Sequence, residues 1–317
     1  MVTMPMRTAP PRPPGRARRS LSRLKSRIGT TLFVLVCVGG LLGAWAWWNG
    51  TVGNVPIREH CTAVASGTVH EVDPEQAGNA AIIAAVAVGR EMPARAASIG
   101  IATAVQESKL RNIEYGDRDS LGLFQQRPSQ GWGTKKQILD PVYASNKFYD
   151  ELAKVDGYES MAITEVAQRV QRSAYPSAYA DHEPEGRVMA STLSGYSPAG
   201  FSCVLHGPPS DLAEEQPAAN GLTPRAADVA AAAGREAGRR DVVAATTDGK
   251  TLRFTVPSAE ANRYGWSLAQ WAVARANQLH VIAVQVGDRK WHRDDSTAGW
   301  TASQEALPPG AVVVRVA

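Results

Sequence analysis

Cysteine and histidine are scarce in this chain, with three and six residues among 317. Cys61 and Cys203 each lack a second cysteine or a histidine at zinc-ligand spacing, and the histidines show no ligand spacing among themselves. Internal repeats of solenoid length are also missing. The sequence therefore predicts no metal site, no other cofactor and no repeat architecture.

The chain has little net charge, +4, and its basic residues are unevenly distributed. Residues 1–27 hold eight of the 34 Lys and Arg residues and no acid, which leaves 26 bases against 30 acids in the remainder. The body is therefore mildly acidic, and nucleic acid is not an expected partner. The Pro-rich basic segment 1–27 is predicted to be a disordered cytoplasmic tail.

The chain has one long hydrophobic run, which lies in residues 28–57, a segment without any charged residue. Its centre, 31–48, is long enough to cross a bilayer, so we expect one N-terminal transmembrane helix in the plasma membrane. The basic residues before it predict a cytoplasmic N-terminus and extracytoplasmic C-terminal domains. A cleaved signal peptide, cut near Ala44-Trp45-Ala46, is the alternative. A single span argues against a transporter.

The two cysteines beyond this run bracket a segment that would lie in an oxidising compartment. A Cys61–Cys203 disulfide would close that segment as one domain, and two buried free thiols are the alternative. The segment has mostly helical patterns, and short β structure is predicted only around 121–127. The later part changes to alternating strand-like runs around one amphipathic helix.

These patterns predict a mainly α domain followed by a small α+β domain. The expected boundaries are the tail at 1–27, the transmembrane anchor at 28–57, the mainly α domain at 58–206, a linker with an Ala-rich segment at 207–240, and the α+β accessory domain at 241–317.

Glu107 is the candidate catalytic residue, because it follows a small-residue apolar helix near that helix's C-terminal end. Burial and the negative end of the helix dipole both disfavour its carboxylate form. A carboxyl group that stays protonated at neutral pH can act as general acid toward a glycosidic oxygen. An ordinary surface glutamate is the alternative.

The surrounding motifs strengthen the catalytic interpretation. Glu107-Ser108, followed at +15 to +18 by Gly122-Leu123-Phe124-Gln125, resembles the ES and GLMQ motif pair of lysozyme-like lytic transglycosylases. Phe124 stands where that family has methionine. The family's third motif, AYNAG, is absent, and the nearest candidate is the run 173–180, where Tyr175 or Tyr179 would take the place of its tyrosine. The resemblance, to an actinobacterial membrane-anchored branch, covers about 60–205 and implies a lysozyme-like fold there.

Further residues are candidates for substrate binding on the same resemblance. Gln125 and Gln126 have amides that can bind sugar hydroxyls or N-acetyl groups, or stabilise a turn instead. Trp132 can stack on a sugar or belong to the core. Asp117 and Asp119 can supply a second carboxylate or form a turn. The full set of substrate-binding candidates is Ser108, Gly122, Leu123, Phe124, Gln125, Gln126, Trp132, Tyr175 and Tyr179.

The C-terminal segment is rich in tryptophan, with Trp266, Trp271, Trp291 and Trp300. It resembles a module found on actinobacterial wall-associated proteins, of which some versions end in a His-Asp-His-type segment. This chain ends in VVVRVA instead, so a metallopeptidase is not expected and binding or spacing is the predicted role. Core packing of the tryptophans is the alternative to sugar stacking.

The predicted function is cleavage of the β-1,4 bond between MurNAc and GlcNAc in peptidoglycan, with Glu107 as acid and base. The expected partners are glycan strands and the plasma membrane, and no protein partner is predicted. The resemblance implies a lytic transglycosylase that forms a 1,6-anhydro end, and a glycoside hydrolase is the other enzyme class. A catalytically inactive peptidoglycan-binding or scaffolding membrane protein is the alternative to both.

Overall fold

The computed structural model describes residues 33, 35–41, 45, 58–171, 176–238, 242–256 and 259–317. The chain divides into two compact units, Met1–Pro56 and Ile57–Ala317. In the first unit residues 35–41 are helical. None of the helices formed by the described residues is both long and apolar enough to cross a membrane. Most of the range 28–57, over which the sequence predicts a transmembrane helix, lies outside the described residues.

The second unit, Ile57–Ala317, combines helices with two antiparallel sheets. Its helices are α1 (Pro74–Gly89), α2 (Ala94–Ser108), α3 (Lys135–Ile138), α4 (Pro141–Leu152), α5 (Ile163–Gln171), α6 (Glu183–Leu193), α7 (Pro224–Ala237) and α8 (Ala261–Ala274). Short 3-10 helices occupy Pro128–Gln130, Pro176–His182 and Arg293–Ala298. The strands are β1 (His60–Ala65), β2 (Thr68–Val72), β3 (Phe201–Val204), β4 (Val242–Ala244), β5 (Thr251–Thr255), β6 (Val281–Val286), β7 (Arg289–His292), β8 (Thr301–Ala302) and β9 (Ala311–Val316).

The first sheet has the order β2-β1-β3 and joins the two ends of the segment predicted as the mainly α domain. Cys61 in β1 lies directly opposite Cys203 in β3, and the two form a disulfide. The predicted disulfide is confirmed. It links strands 142 residues apart in the chain, so this sheet closes the region that contains α1 to α6.

Local capping signals start the helices of this region. Asp73 Oδ1 accepts a hydrogen bond from the Gln76 backbone N–H, and the Asp73 backbone N–H donates one to Gln76 Oε1, which forms a capping box. The Asp140 carboxylate caps α4 by accepting a hydrogen bond from the Val142 backbone N–H. α1 and α2 are buried nearly all round, as expected for helices made of small apolar residues.

α6 crosses α2 at very short range. Gly186 lies at the crossing, where an added Cβ would be 2.8 Å from the Ser98 carbonyl oxygen and 2.9 Å from the Ala102 Cβ. A larger residue would push the helices apart. This close packing places the segment that precedes α6 beside the C-terminal half of α2.

The second sheet has the order β4-β5-β9-β6-β7-β8, and α8 packs between it and the first part of the unit. Gln270 in α8 accepts a hydrogen bond from the Phe201 amide at 2.7 Å and donates to the Thr192 carbonyl oxygen at 2.6 Å. The indole of Trp291 donates to the Cys203 carbonyl oxygen at 3.1 Å, and that of Trp300 to the Phe201 carbonyl oxygen at 2.7 Å. Buried polar contacts of this kind are made within a packed interior.

The predicted fold class, a mainly α lysozyme-like domain followed by a small α+β domain, is wrong. Strands β1, β2 and β3 form a sheet inside the segment predicted to be mainly helical, and residues Ile57–Ala317 make one compact unit. The physical reason is that both features depend on contacts between distant parts of the chain.

The tryptophans of the C-terminal segment are core residues, since Trp266, Trp271 and Trp291 are buried and Trp300 packs against the same core.

Candidate active site

Glu107 lies in the last turn of α2, two positions after a run of ten consecutive buried residues that ends at Val105. The helix ends at Lys109, and both Lys109 and Leu110 have left-handed backbone conformations, with φ of 56° and 57°. Non-glycine residues seldom adopt this conformation, and each costs about 1–3 kcal/mol. The sharp turn buries Leu110 and leaves the half-buried Glu107 side chain at the end of the helix.

Two side chains hydrogen-bond the Glu107 carboxyl group. The Tyr179 hydroxyl donates to Glu107 Oε1 at 2.6 Å, and the Gln171 amide forms a second bond. Burial raises the pKa of Glu107, these two bonds lower it, and the net result is a pKa above the usual value. A raised pKa is the direction of shift that favours a carboxyl group as general acid.

Tyr179 follows a segment outside the described residues and is packed beside α2. Its side chain is buried, and it belongs to the 3-10 helix that ends at His182. The His182 ring contacts Glu185 through Nδ1 and Gln106 Oε1 through Nε2, the latter at 2.9 Å. Since Gln106 precedes the acid in α2, this network fixes the tyrosine-bearing turn against the helix that carries Glu107.

Gln171 was missed by the sequence reasoning. Besides its bond to Glu107, its amide nitrogen donates to the Phe124 carbonyl oxygen at 2.6 Å. It therefore connects α5, the acid and the loop that contains the second motif. Its one sequence signal is its position two residues before the run 173–180, which contains the candidate tyrosines.

Ser108 joins the helix to the loop of the second motif. Its side chain is buried, and its hydroxyl lies 2.8 Å from the Leu123 carbonyl oxygen and 3.0 Å from that of Ala104. The single hydroxyl hydrogen can donate to either oxygen. The fifteen-residue spacing of the two motifs thus corresponds to a direct contact between them.

The loop of the second motif is a tight turn closed by two backbone hydrogen bonds between Leu121 and Gln126, each 3.0 Å long. Gly122 has φ +74°, and an added Cβ would lie 2.8 Å from the Ile138 carbonyl oxygen. Both the conformation and the lack of space require glycine at this position. The pairing of Leu121 with Gln126 is an isolated β-bridge, within the range 121–127 where the sequence predicts short β structure.

Most of the predicted substrate-binding residues of this loop face the interior. Leu123 and Phe124 are fully buried, and Phe124 stacks on Phe148 with ring centroids 4.6 Å apart. Gln126 is also buried and its amide donates to the Ala144 carbonyl oxygen at 3.1 Å. Gln125 is half-buried, and its amide lies 3.3 Å from two loop carbonyl oxygens. These contacts shape the loop beside Glu107.

The remaining candidates have mixed positions. Trp132 is half-buried and packs against the core, and its carbonyl oxygen accepts a bond from the Tyr143 hydroxyl at 3.3 Å. Tyr175 lies outside the described residues. Of the two candidate tyrosines, Tyr179 lies within the described residues, and its hydroxyl donates a hydrogen bond to Glu107.

The two candidate second carboxylates belong to the neighbouring loop. Asp119 accepts bonds from the Ser129 amide at 2.8 Å and from Arg127 Nε at 2.7 Å, and these contacts hold its pKa well below the usual value. The side chain of Asp117 is 93% exposed. Asp119 therefore stabilises the 3-10 turn Pro128–Gln130 as an ionised group, as a turn-forming residue does.

Metal chemistry receives no support from the described ranges, in which no group of three or more His, Cys, Asp or Glu side chains is placed to hold an ion. No protein-family model matches the chain, and no curated protein sequence matches it. The geometry around Glu107 is therefore the basis for a functional assignment.

Proposed function

We propose that this protein cleaves the glycan strands of peptidoglycan at the β-1,4 bond between MurNAc and GlcNAc, with Glu107 as both acid and base. The observation that carries the proposal is the environment of Glu107. Its carboxyl group is half-buried at the end of α2, is held by the Tyr179 hydroxyl at 2.6 Å, and has a raised pKa. A protonated carboxyl group in a fixed position is the first requirement for breaking a glycosidic bond.

In the first step the Glu107 proton passes to the glycosidic oxygen while the bond from that oxygen to the anomeric carbon breaks. The sugar left behind develops oxocarbenium-like charge. In the second step the Glu107 carboxylate takes the proton of the sugar's own 6-hydroxyl, whose oxygen bonds to the anomeric carbon. The product is a 1,6-anhydro end, no water is consumed, and Glu107 regains its proton.

The contacts of Asp119, a candidate second carboxylate, favour this single-carboxylate mechanism. A retaining hydrolase needs a second carboxylate about 5 Å from the acid. The groups bonded to Glu107 are a tyrosine and a glutamine, while Asp119 is engaged by Arg127 and Ser129. The disulfide is also consistent with a substrate outside the cytoplasm, because such bonds persist in oxidising compartments.

The test uses the full-length chain, purified sacculi and mass spectrometry of the released fragments. Glu107→Gln keeps the shape of the side chain but removes the acid, so we expect it to abolish product formation while the protein still binds sacculi. Asp119→Asn is the matched control and should retain most of the activity. An anhydro end is identified by the missing mass of one water.

Each other outcome is informative. Products with reducing ends, together with an Asp119→Asn variant as inactive as Glu107→Gln, would contradict the single-carboxylate mechanism and indicate a hydrolase. Binding of sacculi without product from the wild type would contradict cleavage and favour the inactive binding or scaffolding role.

A further inference from the structure

Two open clefts flank α6. The first, of about 490 Å³, lies between the start of α2 and α6, and its lining includes Arg95, Ser98, Glu159, Arg187 and Tyr196. The second, of about 550 Å³, lies on the other side of α6 against the turn between β1 and β2. Glu183, Arg187 and Ser191 line both clefts, so this stretch of α6 forms a wall that the two clefts share.

The Arg187 guanidinium is available to a ligand. Its side chain is 69% exposed, and the carboxylate nearest to it is Glu183, at 3.7 Å. The same Glu183 oxygen already accepts a hydrogen bond from Arg95 at 2.6 Å. The charge of Glu183 is therefore balanced by Arg95, and a long, exposed ion pair holds Arg187 only weakly.

A guanidinium that is free to form two parallel hydrogen bonds matches the geometry of a carboxylate or phosphate group. Glu159 is exposed on the lining of the first cleft and disfavours a ligand with many negative charges. Tyr196 is 54% exposed and offers an apolar ring, whose position is supported by the Arg263 guanidinium at 4.8 Å from its centroid. Small apolar side chains can pack on such a ring.

The serine side chains add polar groups suited to a peptide backbone. The Ser98 hydroxyl donates to the Ala94 carbonyl oxygen and the Ser160 hydroxyl to the Gly157 carbonyl oxygen, both at 3.1 Å. Each hydroxyl oxygen keeps acceptor capacity for an amide N–H group. The cleft thus combines a carboxylate site, an apolar ring and acceptors for amides, which together suit a short peptide.

The first cleft is displaced from the acid along α2. Its lining residue Ser98 precedes Glu107 by nine residues, which is about 14 Å along a helix axis. A ligand in the first cleft would therefore leave Glu107 free to act on a chain that runs past it.

We propose that the two clefts that share Arg187 bind the peptide branch of a glycan strand through a free carboxylate of that peptide. The inference rests on the proposed function, because it names peptide-bearing strands as the substrate class of the Glu107 site. Peptide binding at Arg187 does not require the carboxyl group of Glu107, so the two proposals are separable.

The test is a fluorescence-anisotropy titration of the full-length chain with a labelled cell-wall stem tetrapeptide that ends in a free carboxylate. The same peptide with a terminal carboxamide should bind at least tenfold more weakly. Arg187→Gln should lose at least tenfold in affinity for the free acid, and Arg187→Lys should recover only part of it, since lysine lacks the two-pronged donor geometry.

Arg289→Gln is the matched control, because Arg289 is also exposed and has a similarly long ion pair of 3.8 Å to Asp288. It should bind the peptide like the wild type, and so should Glu107→Gln. Equal affinity for the acid and the amide, or an unchanged affinity of Arg187→Gln, would overturn the inference. The inference would also be overturned if Arg187→Gln lost as much affinity for peptide-free glycan strands as for the peptide. The clefts would then be a sugar site.

The outcomes for the two proposals can be told apart. Cleavage of sacculi without peptide binding would overturn the peptide site and leave the proposed function standing. Arg187-dependent peptide binding without cleavage would overturn the proposed function and leave the site as a peptide-binding cleft.

Discussion

Removal of the Tyr179 hydroxyl should shift the pH range in which the protein is active. The hydroxyl donates to Glu107 Oε1 at 2.6 Å and so stabilises the ionised carboxylate. In Tyr179→Phe this stabilisation is lost while the effect of burial remains. The pKa of Glu107, already raised, should therefore rise further.

The size of the shift follows from the hydrogen bond. A bond to a charged group contributes about 1.5–3 kcal/mol. One pKa unit corresponds to about 1.4 kcal/mol, so the pKa should rise by about one to two units. Because the first step needs protonated Glu107, kcat/KM falls above this pKa. The alkaline limb of the kcat/KM profile should move to higher pH by the same amount.

The assay is release of soluble fragments from sacculi at low substrate concentration, followed across pH for the wild type and two variants. Tyr149→Phe is the control, because Tyr149 is equally buried but its hydroxyl donates to the Ile83 carbonyl oxygen at 3.0 Å. It should lose about 1 kcal/mol of stability and leave the limb in place. An unmoved or acid-shifted limb in Tyr179→Phe, or an equal shift in Tyr149→Phe, would refute the reasoning.

Three further predictions concern the scaffold around Glu107, and each is measured as the free energy of unfolding in urea. Ser108→Ala leaves the buried Leu123 carbonyl oxygen without its donor and should cost about 1–3 kcal/mol. Ser145→Ala should cost less, because the Ser145 hydroxyl bonds only within its own helix. Equal losses would argue against a stabilising bond between Ser108 and Leu123. Gly122→Ala combines a left-handed conformation with a backbone clash and should cost more than Gly131→Ala, which has the same conformation but open space, so equal costs would contradict the packing argument. Replacing both disulfide cysteines with alanine should cost about 5 kcal/mol for a loop of 142 residues, and a loss below about 1 kcal/mol would show that the unfolded chain is already constrained.

Features that depend on neighbouring residues were predictable from the sequence. Asp73 and Asp140, each followed by proline, mark helix starts, and both helices begin there. The small apolar residues before Glu107 indicate a buried helix, and α2 is buried up to Val105. The fifteen-residue motif spacing, taken from a resemblance, corresponds to the contact between Ser108 and Leu123.

Features that depend on distant contacts were not predictable. The buried positions of β1 are Cys61, Ala63 and Ala65, which give a weak hydrophobic alternation, and the partner strand β3 follows more than 130 residues later. Gln171 carries no local signal of its bond to Glu107, because a polar residue at a helix end is ordinarily solvent-exposed. In the C-terminal segment the apolar pattern of α8 could not reveal that this helix packs on α6 and β3.

The disulfide also determines how the chain responds to a protease. The most exposed stretch near the active site is 114–118, which includes Tyr115 and Arg118 and lies between the two disulfide cysteines. A cut after Arg118 would open a covalent ring, and the two fragments would stay joined through the bond between β1 and β3. Nicked protein would therefore keep its full mass under non-reducing conditions and separate into two pieces only after reduction. Proteolysis at this exposed stretch would leave Glu107 and Tyr179 on different fragments of one molecule that remains linked.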